Sequence, residues 1–236
     1  MTRDGSPWRP FVRPAAHQGA YRCLQLIAGL VALLAAPAAL AGALVVNVHM
    51  ADGRALPGVV VTVQPLEGSA KPNPPIEAVM DQIDLAFSPD LLVIPVGSTV
   101  TFPNSDTTSH QVYSFSPAHP FQLPLYRGKP RAPERFDRAG LVTLGCNIHD
   151  NMLAYIVVTD AAYFGRTSAS GAWSQSGVAR GKYRVTIWYP RVRDAAANLQ
   201  RDVTIGDVER AEVSVKLEKT LRPAPLEKRP HSWDAY

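Results

Sequence analysis

Short β-branched runs recur along the chain beyond residue 42, and helical periodicity is weak. Runs such as Leu44 to Met50 and Val59 to Val63 are typical of strands, in which every second side chain can face a core. The same pattern predicts further strands at 83–87, 91–94, 98–102, 111–115, 140–144, 153–158, 183–188, 202–205 and 211–217. Strands of this length, separated by turn residues, predict an all-β protein built from antiparallel sandwiches.

The first 41 residues differ in character from the rest of the chain. Four arginines precede an apolar segment at 24–40, which ends in the small-x-small sequence Ala39-Leu40-Ala41. This order predicts a secretory signal peptide over 1–41. A transmembrane anchor is the alternative, but Pro37 interrupts the apolar segment, which is no longer than the ~20 residues that span a bilayer. We therefore expect an exported protein that is free of the membrane after cleavage.

Charge and cysteine content narrow the possible functions. The chain carries a formal net charge of +4, of which +3 belongs to the leader, and basic residues do not cluster with aromatic ones. The sequence therefore gives no indication of a nucleic-acid surface.

The predicted mature chain contains one cysteine. Cys23 leaves with the leader, so Cys146 is the single cysteine that remains. Outside the cytoplasm an unpaired thiol is readily oxidised, so its presence there needs an explanation. Ligation of a metal ion by Cys146 would provide one.

The sequence Cys146-x-x-His149-x-x-Met152 places a thiolate, an imidazole and a thioether in one loop after a predicted strand. With a second histidine, this set matches a blue-copper centre, which has two His and one Cys in a trigonal arrangement and a weak axial Met. His110 is available as that second histidine. Zinc is the main rival metal, but zinc has no use for a thioether. The motif therefore predicts one copper ion.

The segment from Gly97 to Asn104 resembles the Gly-x-x-Val-x-Phe-x-Asn strand that precedes the first copper histidine of the cupredoxins. The short spacing of the Cys146 loop is more similar to amicyanin than to plastocyanin. The resemblance implies a Greek-key cupredoxin domain over 76–159, with Asn104 supporting the ligand loops. It also implies a type 1 copper ligand set of His110, Cys146, His149 and Met152.

Two positions near the ligands depart from the cupredoxin pattern. Gln111 follows the first histidine where Asn is frequent, and Asn147 follows the cysteine where a hydroxyl residue is common. We expect an amide–amide hydrogen bond between Gln111 and Asn147 to replace the usual link between the two loops. His119 lies between prolines on a long connection, and we expect it to be a surface residue and not a ligand.

The flanking segments are similar to carboxypeptidase-regulatory-like, or transthyretin-like, β-sandwich modules. The similarity rests on Asp52-Gly53, on Leu56-Pro57-Gly58 and on a Gly-x-Tyr-x-Val strand that begins at Gly181. It implies an outer sandwich formed by 43–67 plus 160–219, with the cupredoxin domain inserted after its second strand. A Pro-rich, charged tail at 220–236 is predicted to be disordered. The combination resembles bacterial proteins labelled methylamine utilisation proteins.

These resemblances imply a periplasmic protein that carries single electrons between redox partners such as a dehydrogenase and a c-type cytochrome. We do not expect an enzyme, because copper oxidases and copper nitrite reductases need further ligands, typically His-x-His pairs, and the sequence contains none. Two alternatives stay open. One is a binding or structural module with a vestigial or stabilising metal site, and the other is a copper-delivery protein.

Overall fold

The computed structural model describes residues 42–68, 71–129, 132–192, 199–206, 209–218 and 221. The predicted signal peptide lies outside the described residues, as does the predicted tail apart from Leu221, which forms a β-bridge with Val192. Within the described ranges the chain forms 17 strands and no helix, so the all-β fold class is confirmed. The same ranges accordingly contain no helix with the length and hydropathy needed to cross a membrane.

The strands follow one another along the chain. The first six are β1 (Gly42–Met50), β2 (Val60–Pro65), β3 (Glu77–Val79), β4 (Asp81–Ile83), β5 (Ala86–Ser88) and β6 (Leu91–Pro95). The next six are β7 (Ser98–Thr101), β8 (His110–Ser114), β9 (Phe121–Tyr126), β10 (Glu134–Phe136), β11 (Gly140–Gly145) and β12 (Leu153–Thr159). The last five are β13 (Tyr163–Arg166), β14 (Ala172–Val178), β15 (Gly181–Trp188), β16 (Leu199–Ile205) and β17 (Arg210–Leu217).

Strands β3 to β12 form an inner sandwich around one buried cluster. Its five-stranded sheet has the order β6-β12-β11-β8-β9, its three-stranded sheet has the order β10-β7-β3, and β4 pairs with β5. Burial alternates along β11 and β12, because successive side chains of a strand point to opposite faces. The buried cluster contains Met80, Phe87, Ile94, Val100, Phe102, Val112, Phe136, Val142, Leu144, Cys146, Met152, Ala154, Ile156 and Val158.

Strands β1, β2 and β13 to β17 form an outer sandwich with a core of its own. Its sheets have the orders β14-β1-β17 and β13-β2-β15-β16. The Val-rich strands β1 and β2 supply much of this core, to which Trp173 and Tyr183 also belong. Parallel pairs join β1 to β17, β3 to β7 and β6 to β12, so the expectation of purely antiparallel sheets is wrong at these three places.

The inner strands are inserted between two paired strands of the outer sandwich. β2 and β13 are antiparallel neighbours, with Val63 opposite Tyr163, and all ten inner strands lie between them in the sequence. The described residues belong to one compact unit. The division of that unit into separate domains at 43–67 plus 160–219 and at 76–159 therefore stays a prediction.

Direct contacts join the inner and outer sandwiches. The Arg166 guanidinium donates a hydrogen bond to the Leu91 carbonyl at 3.2 Å. The rings of Tyr155 on β12 and Trp188 on β15 meet edge to face, with centroids 5.4 Å apart. These contacts hold β6 and β12 against the outer sandwich, and β12 adjoins the ligand loop.

The predicted strand at 83–87 is wrong. The chain turns at Asp84 and Leu85, whose φ angles are 52° and 56°, so that β4 and β5 form a hairpin. The alternation of Ile83, Leu85 and Phe87 suggested one half-buried strand, but only Phe87 is buried. A turn with two consecutive residues at positive φ is a type I′ hairpin turn, which usually contains Asn or Gly.

Candidate metal centre

Three of the predicted ligands lie at one end of the five-stranded sheet. His110 is the first residue of β8, Cys146 directly follows β11, and His149 lies in the loop 146–152 between β11 and β12. Because β8 and β11 are antiparallel neighbours, the start of one strand lies beside the end of the other. The sheet therefore brings His110 to the cysteine loop.

The donor atoms of these three residues converge. His110 Nδ1 lies 3.1 Å from His149 Nδ1, and Cys146 Sγ lies 3.8 Å from the same nitrogen. One ligand atom from each of the three residues falls within 4.8 Å of the others. In the described part of the chain, this is the single group of three or more His, Cys, Asp or Glu side chains that is close enough to hold a metal ion.

Met152 lies beside the donor cluster and is buried. It belongs to the same core cluster as Cys146, and both residues line one cleft. Its backbone amide donates a hydrogen bond to the His149 carbonyl at 2.9 Å, which closes a turn within the loop. The structure thus places the thioether residue next to the thiol residue. Coordination through the Met152 sulfur stays a prediction.

The converging donors fit a metal ion of borderline or soft character. Three ligands at ~2.1 Å from a metal in a trigonal arrangement lie roughly 3.6 Å from one another. The separations of 3.1 Å and 3.8 Å are close to that value. Both zinc and copper accept imidazole and thiolate ligands, but a weak axial thioether is typical of copper. The buried position of Met152 therefore favours copper.

The three donors differ in their exposure to solvent. His110 is fully buried and Cys146 is 4% exposed, whereas His149 is partly exposed. The neighbouring Ile148 is 53% exposed, so the loop reaches the surface at this point. His149 is consequently the most exposed of the three donors.

The second nitrogen of His110 is bound by a carboxylate. Asp106 Oδ2 lies 2.7 Å from His110 Nε2. Burial raises the pKa of the Asp106 carboxyl, but hydrogen bonds from the Leu85 amide, His110 and the Asp84 amide outweigh it, so that the pKa lies below its usual 3.8. The Asp106 side chain is therefore a carboxylate at neutral pH, and it can accept a hydrogen bond from a protonated Nε2 of His110.

Asn104 organises the segment that leads to His110. Its side chain is 4% exposed and donates hydrogen bonds to the carbonyls of Thr108 at 3.0 Å and Tyr126 at 2.9 Å. Its side-chain oxygen accepts a bond from the Asp106 amide at 3.0 Å. Asn104 thus joins the loop before His110 to the backbone of β9.

Tyr126 extends this buried polar network. Its hydroxyl donates to the Phe102 carbonyl and accepts a hydrogen bond from Gln82 Nε2 at 2.6 Å. Burial, together with the charges of Asp81 and Cys146, raises the pKa of Tyr126 to about 12 against the opposing effect of the Gln82 bond. The phenol therefore acts as a neutral hydrogen-bonding group.

The structure does not show the expected bond between Gln111 and Asn147. No hydrogen bond joins these two described residues, and Asn147 is exposed. Gln111 alternates with the buried His110 and Val112 on β8, so its side chain belongs to the outer face of the sheet. The loops are connected instead through the two histidine rings.

His119 is not part of the donor cluster. Its Nε2 lies 3.2 Å from Glu134 Oε2, and its ring packs 4.5 Å from the ring of Phe136. The residue is partly buried and not fully at the surface, since it covers one side of the inner core.

Apolar side chains are exposed around the cysteine loop. Phe115, Ile148 and Leu153 are 79%, 53% and 50% exposed. Phe115 and Leu153 line an open cleft together with Cys146 and Met152. An apolar surface therefore borders the donor cluster.

No protein-family model and no curated protein matches the chain. Solved copper-protein structures align with part of it. A Cu-containing nitrite reductase from Thermus scotoductus SA-01 is 28% identical over 41% of this chain, with a TM-score of 0.34, and the chain spans 25% of that protein's length. A purple cupredoxin from Nitrosopumilus maritimus is 24% identical over 35% of this chain and 99% of its own, with a TM-score of 0.32. A reduced amicyanin variant is 23% identical over 34% of this chain and 80% of its own, with a TM-score of 0.30. All three TM-scores lie below 0.5, so the case for the site rests on its own geometry.

Proposed function

We propose that the protein is a single-electron carrier with one type 1 copper ion held by His110, Cys146, His149 and, axially, Met152. The observation that carries this proposal is the convergence of the first three donor groups within 4.8 Å of one another, beside the buried Met152. Copper bound by two imidazoles, a thiolate and a weak thioether accepts and returns one electron.

The fold supports an electron-transfer role because it holds the donors rigidly. Cys146 directly follows β11 and His110 begins β8, and both residues are buried, so their positions are fixed by the sheet. A donor set that does not rearrange suits both oxidation states of the metal. The partly exposed His149 then provides the short route between the site and a partner.

An enzymatic role has less support. His110 and Cys146 are buried, so only His149 of the three converging donors has a substantial part of its surface in solvent. The exposed apolar residues Phe115, Ile148 and Leu153 suit transient contact with another protein. We propose a periplasmic location and partners of the dehydrogenase and c-type cytochrome classes, which would use this surface.

A reversible redox titration of the mature protein tests the proposal. We expect one Cu(II) per chain, an intense blue colour, bleaching by ascorbate and full recovery of the colour on reoxidation. Copper that is taken up without colour, or lost on reduction, would contradict electron transfer. Transfer of Cu(I) from the reduced protein to an added chelating protein would instead indicate copper delivery.

A further inference from the structure

We propose that Asp106 is the positioning residue of this metal centre. Its carboxylate would fix His110 with Nδ1 turned to the metal and would connect that ring to the hairpin turn at Asp84 and Leu85. The inference rests on the proposed function, because it assigns a role toward the same metal.

Asp106 determines which nitrogen of His110 carries the proton. The Oδ2 atom lies 2.7 Å from Nε2, and a carboxylate at this distance accepts a hydrogen bond from a protonated Nε2. In a neutral imidazole the lone pair is then on Nδ1, which is the atom that faces His149 at 3.1 Å. Because His110 is fully buried, water does not compete for Nε2.

Asp106 is itself held by the β4–β5 turn. The Asp84 amide donates to Oδ1 at 2.6 Å, and the Leu85 amide donates to Oδ2 at 2.9 Å. Both turn residues have positive φ angles, which are uncommon for side chains such as Leu. The carboxylate therefore accepts three hydrogen bonds and has a fixed orientation, with a side chain that is only 12% exposed.

This arrangement has a consequence for the reduction potential. A carboxylate bound to the second nitrogen of a ligand histidine increases the basicity of the first nitrogen. A stronger donor and a nearby negative charge stabilise Cu(II) relative to Cu(I), and therefore lower the potential. Asp150 provides the matched comparison, because it is an exposed acid of the ligand loop that does not bond to His110.

The test compares the reduction potentials of copper-loaded Asp106→Asn and Asp150→Asn with that of the unmodified protein. We expect Asp106→Asn to shift the Cu(I)/Cu(II) equilibrium about tenfold toward Cu(I), which is a rise of about 59 mV. Asp150→Asn removes the same formal charge in a solvated position, so we expect a much smaller shift. If Asp106→Asn shifts the equilibrium no more than Asp150→Asn does, the inference is wrong.

A second measurement requires no copper. Nitrogen NMR of the metal-free protein should show His110 as the Nε2-protonated tautomer, and Asp106→Asn should weaken that preference. A His110 tautomer that is independent of residue 106 would overturn the inference even if the protein is a blue-copper carrier. Conversely, a colourless protein would contradict the proposed function and leave this measurement valid.

A folding defect in Asp106→Asn can be separated from the effect on His110. Leu85→Gly places in the turn a residue that adopts positive φ without strain. The turn should then keep its conformation even when the hydrogen bonds to the Asp106 carboxylate are weakened. Leu85→Gly alone should leave the potential unchanged. The double variant Leu85→Gly/Asp106→Asn should fold and still show the tenfold shift, and an unshifted equilibrium would mean that Asp106 only anchors the turn.

Discussion

Each donor residue of the cluster has a different environment. The Nε2 atom of His110 is bound by Asp106, Cys146 is buried at the start of the loop, and His149 is partly exposed. Met152 is buried in the same core cluster as Cys146. At the scale of single residues, these different environments predict different outcomes for substitutions at and near the cluster.

Met152→Leu should keep the protein folded and blue but raise its reduction potential. The substitution nearly conserves volume, so we expect a loss of stability below about 1.5 kcal/mol. Removal of the weak axial sulfur favours the reduced metal, because the axial ligand tunes the potential of such sites. Voltammetry and urea unfolding measure the two effects. An unchanged potential would mean that the Met152 sulfur does not reach the metal.

Tyr126→Phe should alter the stability of the metal-free protein at high pH. The pKa of Tyr126 is raised to about 12 in the folded state, whereas an unfolded tyrosine ionises near 10. The unfolded chain therefore releases this proton first, and the stability contributed by Tyr126 is lost as the pH rises from about 10 to about 12. Urea unfolding across this window should show a shallower decline for Tyr126→Phe than for the unmodified protein. An equally steep decline would contradict the assignment.

The loop between β11 and β12 shows how far local sequence can predict a site. Cys146, His149 and Met152 lie within one loop, so their proximity follows from their spacing. The placement of His110 needed only the pairing of neighbouring strands. The contact of Asp106 with the Asp84–Leu85 turn depends on a tertiary approach of two loops, for which the sequence pattern contains no signal.

The sequence predicts the strands in which apolar residues alternate or follow one another. It does not predict strands that contain proline or mostly polar residues. β9 was not predicted, because it contains Pro124. It lies at the edge of its sheet, where a proline costs no ladder hydrogen bond. β14 has a polar sequence and was missed, although it pairs with β1 along five positions. The hairpin at Asp84 and Leu85 was missed because bulky side chains rarely occupy such turns.

Gly145 precedes the cysteine at the end of β11 and leaves no room for a side chain. A Cβ atom there would lie 2.8 Å from Cζ and Oη of Tyr113, with which Gly145 is paired across the sheet. Gly145→Ala should therefore destabilise the protein by about 1–3 kcal/mol in urea unfolding.

Two controls test this explanation. In the Tyr113→Ala background, which lacks the clashing ring, Gly145→Ala should lower stability by less than it does in the unmodified protein. Gly206→Ala adds a methyl group where no atom lies within 4 Å and should change stability by less than about 0.5 kcal/mol. An unaffected Gly145→Ala protein would show that the loop adjusts easily, contrary to a rigid site.

At the scale of the whole molecule, the inner sandwich is an insertion between two strands that already pair with each other. β2 and β13 are antiparallel, and among the described residues the core of the outer sandwich is formed by strands and loops outside the insertion. The outer sandwich should therefore fold without the inner one.

Replacement of residues 67–159 by an Asn-Gly hairpin turn tests this independence. The two strands are in register for such a connection, with Val63 opposite Tyr163, and Asn-Gly favours a two-residue hairpin. We expect a soluble, cooperatively unfolding β-protein by circular dichroism. Its stability should be lower than that of the full chain, because Trp188 loses its contact with Tyr155. An unfolded product would mean that the two sandwiches are one folding unit.

The most direct test of the central claim is the electron paramagnetic resonance spectrum of the mature protein loaded with one equivalent of Cu(II). Thiolate ligation by Cys146 together with His110 and His149 predicts a type 1 spectrum with a narrow parallel hyperfine splitting and an intense blue absorption, both absent from Cys146→Ser. A wide splitting typical of tetragonal copper, or a spectrum that Cys146→Ser leaves unchanged, would show that these residues do not form the proposed centre.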